Sequence, residues 1–425
     1  MHPAERLALG LYSLGIPAYG AVIALVAALG NPKARLWHQG RRNWPLIVRQ
    51  QVEACPHTGP NIWVHASSLG EFEQARPVIE ALRAQQPNAR IWLTFFSPSG
   101  YEVRKTYSQA SGVFYLPLDT PANARSWVAQ LRPQLALFAK YDIWPHLLAE
   151  LARAQVPAIL FSAHPRMNSA WFGRWGRWLY GPALRSLSHV YVQTEADAQR
   201  FRSAGYSRVS AVGDTRFDRV WAVAQTAVTQ DWVTQWAGDA PVLVAGSTWP
   251  EDETLLWQAL QAPELQSIRL LLVPHEVDEA HIQATLARVG GSAPRYSQLN
   301  KGYDTHSRVL VVDVVGLLAG LYREAWVTYV GGGFGKGIHN TLEPAAHGKP
   351  VLFGPKHQRF REAGELIAAG AAVEVRNAAD IQDVLIRWQN QPQTCIAAGE
   401  AAKTYVQVNC GATAPIVRHC LQLLA

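Results

Sequence analysis

Cysteine is scarce in this chain: four among 425 residues, at 55, 395, 410 and 420, with no C-x-x-C pair. That spacing supports neither a structural zinc site nor a disulfide framework, and it fits a reducing compartment. No H-E-x-x-H occurs, the fourteen histidines are dispersed, and no metal constellation can be assembled from them. The G-x-S-x-G of an α/β-hydrolase is missing as well. There is no internal repeat and no low-complexity tract, which excludes a solenoid or a disordered tail. Charged residues make up only 17% against 48% hydrophobic, so the chain has ample material for packed cores, and its length suits two domains. Acidic residues are the scarcer sign, 32 against 39 basic, for a net charge of +7. Such a balance implies an anionic partner: nucleic acid, a membrane surface or a phosphorylated substrate. Sixteen tryptophans, many close to arginines, favour the membrane interface, and no recognised nucleic-acid motif appears.

The N-terminus points the same way. Leu7 to Leu29 carries no charge, and at about 1.5 Å per residue it would span roughly 35 Å as a helix, enough to cross a bilayer. The run is too long for the core of a signal peptide. Gly10, Gly15, Pro17 and Gly20 weaken it, so a helix lying in one leaflet or a buried core helix are the alternatives. Lys33, Arg35, Arg41 and Arg42 follow directly, which under the positive-inside rule leaves the rest of the chain on the cytoplasmic side.

From residue 60 onward, short apolar runs alternate with longer helical patterns. Residues 61–65, 90–95, 134–138, 158–161 and 190–193 read as one set of strands. After Gly213 the rhythm restarts at 241–245, 269–273, 309–313, 326–330, 351–353 and 371–375. Alternation of this kind predicts parallel sheets covered by helices on both faces. Two sets predict two doubly wound α/β domains, with a boundary near residues 218–240 and ligands at the carboxyl ends of the strands, in a cleft between the domains.

The stretch from 331 to 344, GGGFGKGIHNTLEP, follows one of those strands and leads into a short helix. Lys336 is followed by Gly337 rather than Ser or Thr, and no G-x-G-x-x-G frame fits, so neither a Walker loop nor a dinucleotide fingerprint explains it. What remains is a phosphate cradle built of backbone amides, with the Glu343 carboxylate placed to accept hydrogen bonds from a ribose. The plainer alternative is a glycine-rich strand-to-helix turn.

Other candidates also sit where a strand gives way to a helix. In WVHASSLGE (63–71), Ser68 and Glu71 have the spacing of a capping box, while Gly70 and Glu71 equally suit close substrate approach and a general base. In GSTWPEDE (246–253), Thr248 and Glu251 repeat the capping-box spacing with Pro250 in the first turn, and the hydroxyls there could instead hold a phosphate. His275 ends a strand and is placed to touch nucleotide phosphate or base, or is simply structural. Between 166 and 185, Trp171, Phe172, Trp175, Trp178 and Leu179 recur at helical spacing beside Arg166, Arg174 and Arg177. That pattern suits a core stripe or an interfacial belt on lipid headgroups.

Taken in order, HASSLGE (65–71), SPSGYE (97–102), KYDIWPH (140–146), VGDTRFDRV (212–220), GSTWPEDE (246–253), PHE (274–276), the glycine stretch continued to 351 and FGPKHQRF (353–360) resemble the 3-deoxy-D-manno-octulosonic acid (Kdo) transferases of lipopolysaccharide assembly. The variants KYD, GDTRFD and PHE resemble the Bacteroidetes branch. The resemblance covers nearly the whole chain. It implies a GT-B fold: a membrane anchor over 1–32, an acceptor-binding Rossmann-like domain over 33–217 and a CMP-sugar-binding one over 218–425, whose last helix packs back on the first. It also implies inverting transfer of Kdo from CMP-Kdo to the lipid A precursor at the cytoplasmic face of the inner membrane, with no metal cofactor and no nucleic-acid partner. Glu71 is the implied general base, and Ser67, Ser68, Gly70, Lys140 and Asp142 form the implied acceptor side. Ser247, Thr248, His275, Gly333, Gly335, Lys336, Gly337, Asn340 and Glu343 form the donor side. Many members carry an acid where this chain has Lys140 and an arginine where it has His275, which puts the role of Asp142 in question and shifts positive charge toward Lys336 or Lys356. Two other readings stay open: a UDP-sugar transferase of the same fold with another lipid-linked acceptor, and a membrane-tethered nucleotide-binding module without catalysis. Nothing in the sequence sets an oligomeric state.

Overall fold

The computed structural model describes residues 2–56, 58–165, 171–291, 293–301 and 307–425. The chain divides into two compact units, Met1–Arg219 with Gly411–Ala425, and Val220–Cys410.

The first unit is built on seven parallel strands: β1 (Asn61–His65), β2 (Arg90–Phe95), β3 (Gly112–Tyr115), β4 (Leu135–Ala139), β5 (Ala158–Ala163), β6 (His189–Val192) and β7 (Val209–Ala211). Their order is β3-β2-β1-β4-β5-β6-β7. Helices cover both faces, so successive residues of β1 enter different cores: Trp63 packs with Trp92, Trp127 and Phe138, while Ile62 and Val64 pack with Phe72, Ile79 and Leu93. Burial on both sides is why the strands read as unbroken apolar runs. The edge strands β3 and β7 were not among the strands expected from the sequence.

Helix Thr413–Leu424 belongs to this unit. Its Ile416, Val417 and Cys420 join the core around Phe72, and Asp218 accepts hydrogen bonds from the Gly411 and Thr413 amides and the Thr413 hydroxyl. The division falls after Arg219 rather than after 217.

Helix Pro3–Ala28 also packs on the first unit. Tyr12 donates to Asp119 Oδ2 at 2.8 Å, Ser13 Oγ lies 2.9 Å from His146 Nε2, and Glu5 pairs with Arg185. Gly20 runs so close to the body that a Cβ there would sit 2.6 Å from Leu118. On the other side Leu7, Leu11, Leu14, Val22, Leu25 and Leu29 stand exposed, spaced by three, four and seven or eight residues as one helix face requires. This is not a core helix. The aromatic segment divides likewise: Trp171 is in the core and Trp175 is 68% exposed, while Arg166 lies outside the described residues.

The second unit has six parallel strands: β8 (Val242–Thr248), β9 (Arg269–Pro274), β10 (Val309–Val311), β11 (Val327–Val330), β12 (Val351–Phe353) and β13 (Ala372–Glu374). Their order is β10-β9-β8-β11-β12-β13. Again both faces are covered, with Leu243 and Leu270 in one core and Val244 and Leu271 in the other.

Candidate active site

Strand order reverses once in each sheet, between β1 and β4 and between β8 and β11. Chains leaving adjacent strands there diverge to opposite faces and open a crevice at the carboxyl edge. The site residues singled out from the sequence lie at the ends of these four strands or in the segments that follow them; His275 follows the neighbouring β9.

In the first unit, β1 ends at His65 and, after three intervening residues, helix Leu69–Gln85 begins, with Glu71 as its third residue. Ser68 makes no cap hydrogen bond; instead its hydroxyl donates to Glu71 Oε2 at 2.6 Å. The capping-box reading is therefore corrected: Glu71 is bonded to a hydroxyl and does not fold onto the Ser68 amide. Gly70 is exposed, and the nearest atom to a Cβ built on it is Ser68 Oγ at 3.8 Å. Asp142, in the segment after β4, accepts from the Ser67 amide at 3.0 Å and the Ser67 hydroxyl at 2.6 Å. Burial first, and then the charge of Glu71, push the Asp142 carboxyl well above its ordinary value, against the pull of the Ser67 hydrogen bonds. The two carboxylates thus interact. His65 lies 3.5 Å from Asp142, and burial drives its pKa down to about 3, so the imidazole is neutral and does not balance the acid.

Lys140 adopts a left-handed φ of 63°, with its ammonium 5.1 Å from the Tyr141 ring centroid. Its charge also acts on Asp214, a residue the sequence reading had left without a role. Asp214 accepts from Gln74, Gln193 and Arg216. Burial alone would raise its carboxyl, but the Arg216 charge and hydrogen bonds outweigh burial and hold it below the usual range. The signal was present in the GDTRFD block, yet nothing local revealed a buried acid reaching residues 140 positions away.

In the second unit, Ser247 takes a left-handed φ of 52° where the β8–β9 register shifts. Thr248 is fully buried, and its hydroxyl donates to Glu253 at 3.2 Å. That hydroxyl faces the core, which corrects its expected place on a phosphate. The capping box expected of Thr248 and Glu251 is also displaced. Pro250 opens the helix, which moves every cap position on by one residue, and Asp252 accepts from the Trp249 amide at 2.9 Å.

The glycine segment closes on itself: Gly332 O accepts from the Gly335 and Gly337 amides, both at 3.1 Å, and Gly331 O accepts from His339. Gly335 and Gly337 thus spend their N–H groups inside the loop, contrary to the expectation that they face a ligand. Among the described residues, the Gly333 and Lys336 amides donate to no backbone carbonyl. Lys336 is exposed, and Lys356 Nζ donates to Phe334 O at 2.6 Å, so both lysines border the loop. Asn340 donates to Glu343 at 3.0 Å and caps the Leu342 amide.

His275 stacks on both Trp249 and His339, with ring centroids 4.9 and 4.3 Å away. Trp249 Nε1 donates to His339 Nε2 at 3.2 Å. Burial lowers the pKa of both histidines, His339 to about 4. The stack is therefore uncharged at neutral pH, and positive charge beside the loop comes from the lysines. Among the described residues no group of three His, Cys, Asp or Glu side chains is arranged to hold a metal ion.

Residues 39–219 match the family model described as 3-deoxy-D-manno-octulosonic-acid transferase (kdotransferase). The 3-deoxy-D-manno-octulosonic acid transferase of Bordetella pertussis is 31% identical over 407 residues, covering 89% of this chain and 92% of that protein. The enzyme of the same name from Aquifex aeolicus is 27% identical, covering 75% and 83%. Among solved structures, the UDP-GlcNAc 2-epimerase of Neisseria meningitidis bound to UDP-GlcNAc aligns with 85% of this chain and 99% of its own, at a TM-score of 0.61 and 13% identity. That likeness speaks for the fold, two parallel-sheet α/β units of GT-B type.

Proposed function

The chain belongs to the 3-deoxy-D-manno-octulosonic acid transferase family, and from that premise we propose an inverting transfer of Kdo from CMP-Kdo to a lipid A precursor, with Glu71 as the general base. The observation that carries the catalytic reading is the pair Glu71 and Asp142 beside the β1/β4 reversal, with the Asp142 carboxyl raised in part by the charge of Glu71. An ionised Glu71 takes the proton from the acceptor alcohol as that oxygen bonds to the anomeric carbon, and CMP departs with the electron pair of the broken bond. Asp142, whose carboxyl is pushed up by burial and the Glu71 charge and which Ser67 holds in place, is the less available base, which favours Glu71 for that role. Ser67, Ser68, Gly70 and Lys140 border the same edge and would receive the acceptor. CMP would occupy the β8/β11 edge, with phosphate at the Gly333 and Lys336 amides and the Lys336 ammonium. Glu343, steered by Asn340, would take the ribose, and Ser247 and His275 would flank the nucleotide.

Membrane attachment is part of this reading. Helix Pro3–Ala28 is long and apolar enough to cross a bilayer, but its polar side chains are used along one face by the first unit, so we read it as lying in the cytoplasmic leaflet of the inner membrane with its leucine face in lipid. The test is to incubate the protein with CMP-Kdo and tetra-acylated precursor and weigh the products. Glu71→Gln should lower turnover by about 10² to 10⁴ while leaving CMP affinity nearly unchanged. Inhibition by UDP but not by CMP would reject the donor, and full activity of Glu71→Gln would reject the base.

A further inference from the structure

Asp252 lies in the first turn of helix Pro250–Ala259 and is only 1% exposed. A carboxylate so placed commonly caps its own helix, and Asp252 does accept from the Trp249 amide at 2.9 Å. Its other two partners are far away in sequence. Oδ1 accepts from the Tyr329 hydroxyl at 2.7 Å, near the end of β11, and Oδ2 accepts from the Gly332 amide at 2.9 Å, at the start of the glycine loop.

Each partner leads further into the proposed donor site. Gly332 has a φ of 93°, and a Cβ there would lie 2.4 Å from Gly337 O; its own carbonyl holds the Gly335 and Gly337 amides. The residue whose N–H Asp252 holds is therefore the one on which the loop closes. Trp249 carries the indole that donates to His339, at the far end of the loop, and stacks on His275 at the end of β9. One buried acid thus ties together β8, β11 and both ends of the loop. Neighbouring Glu253 is engaged elsewhere, with Thr248, Thr285 and Arg288, and cannot take over.

We propose that Asp252 is the positioning residue of the donor site: without touching the nucleotide, it sets the Gly332 to His339 loop in the shape that accepts CMP. This rests on the donor reading above. It makes a specific demand on chemistry, since two backbone N–H groups and a hydroxyl must all find their partner in this one side chain. Asparagine can meet it, with its carbonyl oxygen accepting both amides and its NH₂ donating to the tyrosine oxygen. Alanine cannot.

The experiment measures CMP binding by calorimetry and steady-state kinetics on the full chain. Asp252→Ala should weaken CMP binding and raise the CMP-Kdo KM together by about 10- to 100-fold, with kcat and the acceptor KM within about threefold of wild type. Asp252→Asn should restore both to within about threefold. Wild-type affinity in the alanine variant, or an asparagine variant as weak as alanine, would overturn the proposal. If the alanine variant does not fold, hydrogen exchange on the unaltered protein decides: the Gly332 amide should be protected without nucleotide, and rapid exchange there would refute its bond to Asp252. A wild-type protein that ignores CMP while protecting that amide would instead count against the donor reading alone.

Discussion

Gly331→Ala is the sharpest steric test of the β8/β11 junction. Gly331 donates to Gly246 O at 2.9 Å, and the two strands approach so closely that an added Cβ would lie 2.3 Å from Ser247 O and 2.7 Å from Thr248 Cα. These are backbone atoms, so no side chain can swing aside. Ordinary contact begins near 3.4 Å, and the turn carrying Ser247 would have to retreat by about an ångström. Overpacking of this kind costs about 1–3 kcal/mol. If the turn yields while the unit stays folded, the displaced elements are those that border the proposed nucleotide site, and about 1.4 kcal/mol per tenfold makes the loss roughly 5- to 150-fold in CMP affinity. If it does not yield, the same cost appears as lowered stability. Urea unfolding followed by tryptophan fluorescence, with calorimetric titration of CMP, measures both. Gly364→Ala is the control: it lies within helix Arg361–Ala368 with nothing within 4 Å of a new Cβ, so it should stabilise by about 0.5–1 kcal/mol. A Gly331→Ala protein with wild-type unfolding and wild-type CMP affinity would refute the steric argument.

Two further outcomes follow from the first unit. Burial raises the Asp119 carboxyl to about 6, opposed by hydrogen bonds from the His146 amide, Tyr12 and the Leu147 amide. The folded protein therefore keeps a proton that the unfolded chain releases near 3.8, and this group's contribution is present below pH 4 and lost as pH rises through 6. At 1.36 kcal/mol per pKa unit the change is about 3 kcal/mol. Wild-type stability should decline relative to Asp119→Asn by that amount between pH 4 and 7 in denaturant titrations, and parallel profiles would contradict it. On the exposed helix face, Leu14 and Leu25 are 74% and 61% accessible, so Leu14→Glu with Leu25→Glu should leave the circular dichroism spectrum unchanged and abolish co-sedimentation with anionic vesicles. Retained sedimentation would reject the leaflet reading.

Several features were legible along the chain because they depend on neighbours in sequence. β1, β2 and β12 start and stop where their apolar runs do, since burial on both faces leaves no polar alternation to blur the ends. The blocks that match Kdo transferases are contiguous, and their order alone identified the family. Even the placement of candidate residues after strands was readable, because a run of apolar residues followed by glycine, serine and a capping acid is a local event.

Tertiary structure decided the rest, and in each case the cause is a partner far away in sequence. Thr248 and Asp252 sit four residues apart in a block that reads as helix start and phosphate site, yet the hydroxyl points to Glu253 while the acid holds Gly332, 80 residues on. Helix Pro3–Ala28 is apolar enough all round to be taken for a simple span; only the partners of Tyr12, at Asp119, and Ser13, at His146, divide it into a docked face and an exposed one. Periodicity reports which residues prefer to leave water. It carries no information about which buried acceptor a distant donor will meet, because that is settled by strand order and by the close approach of backbones that only glycine permits.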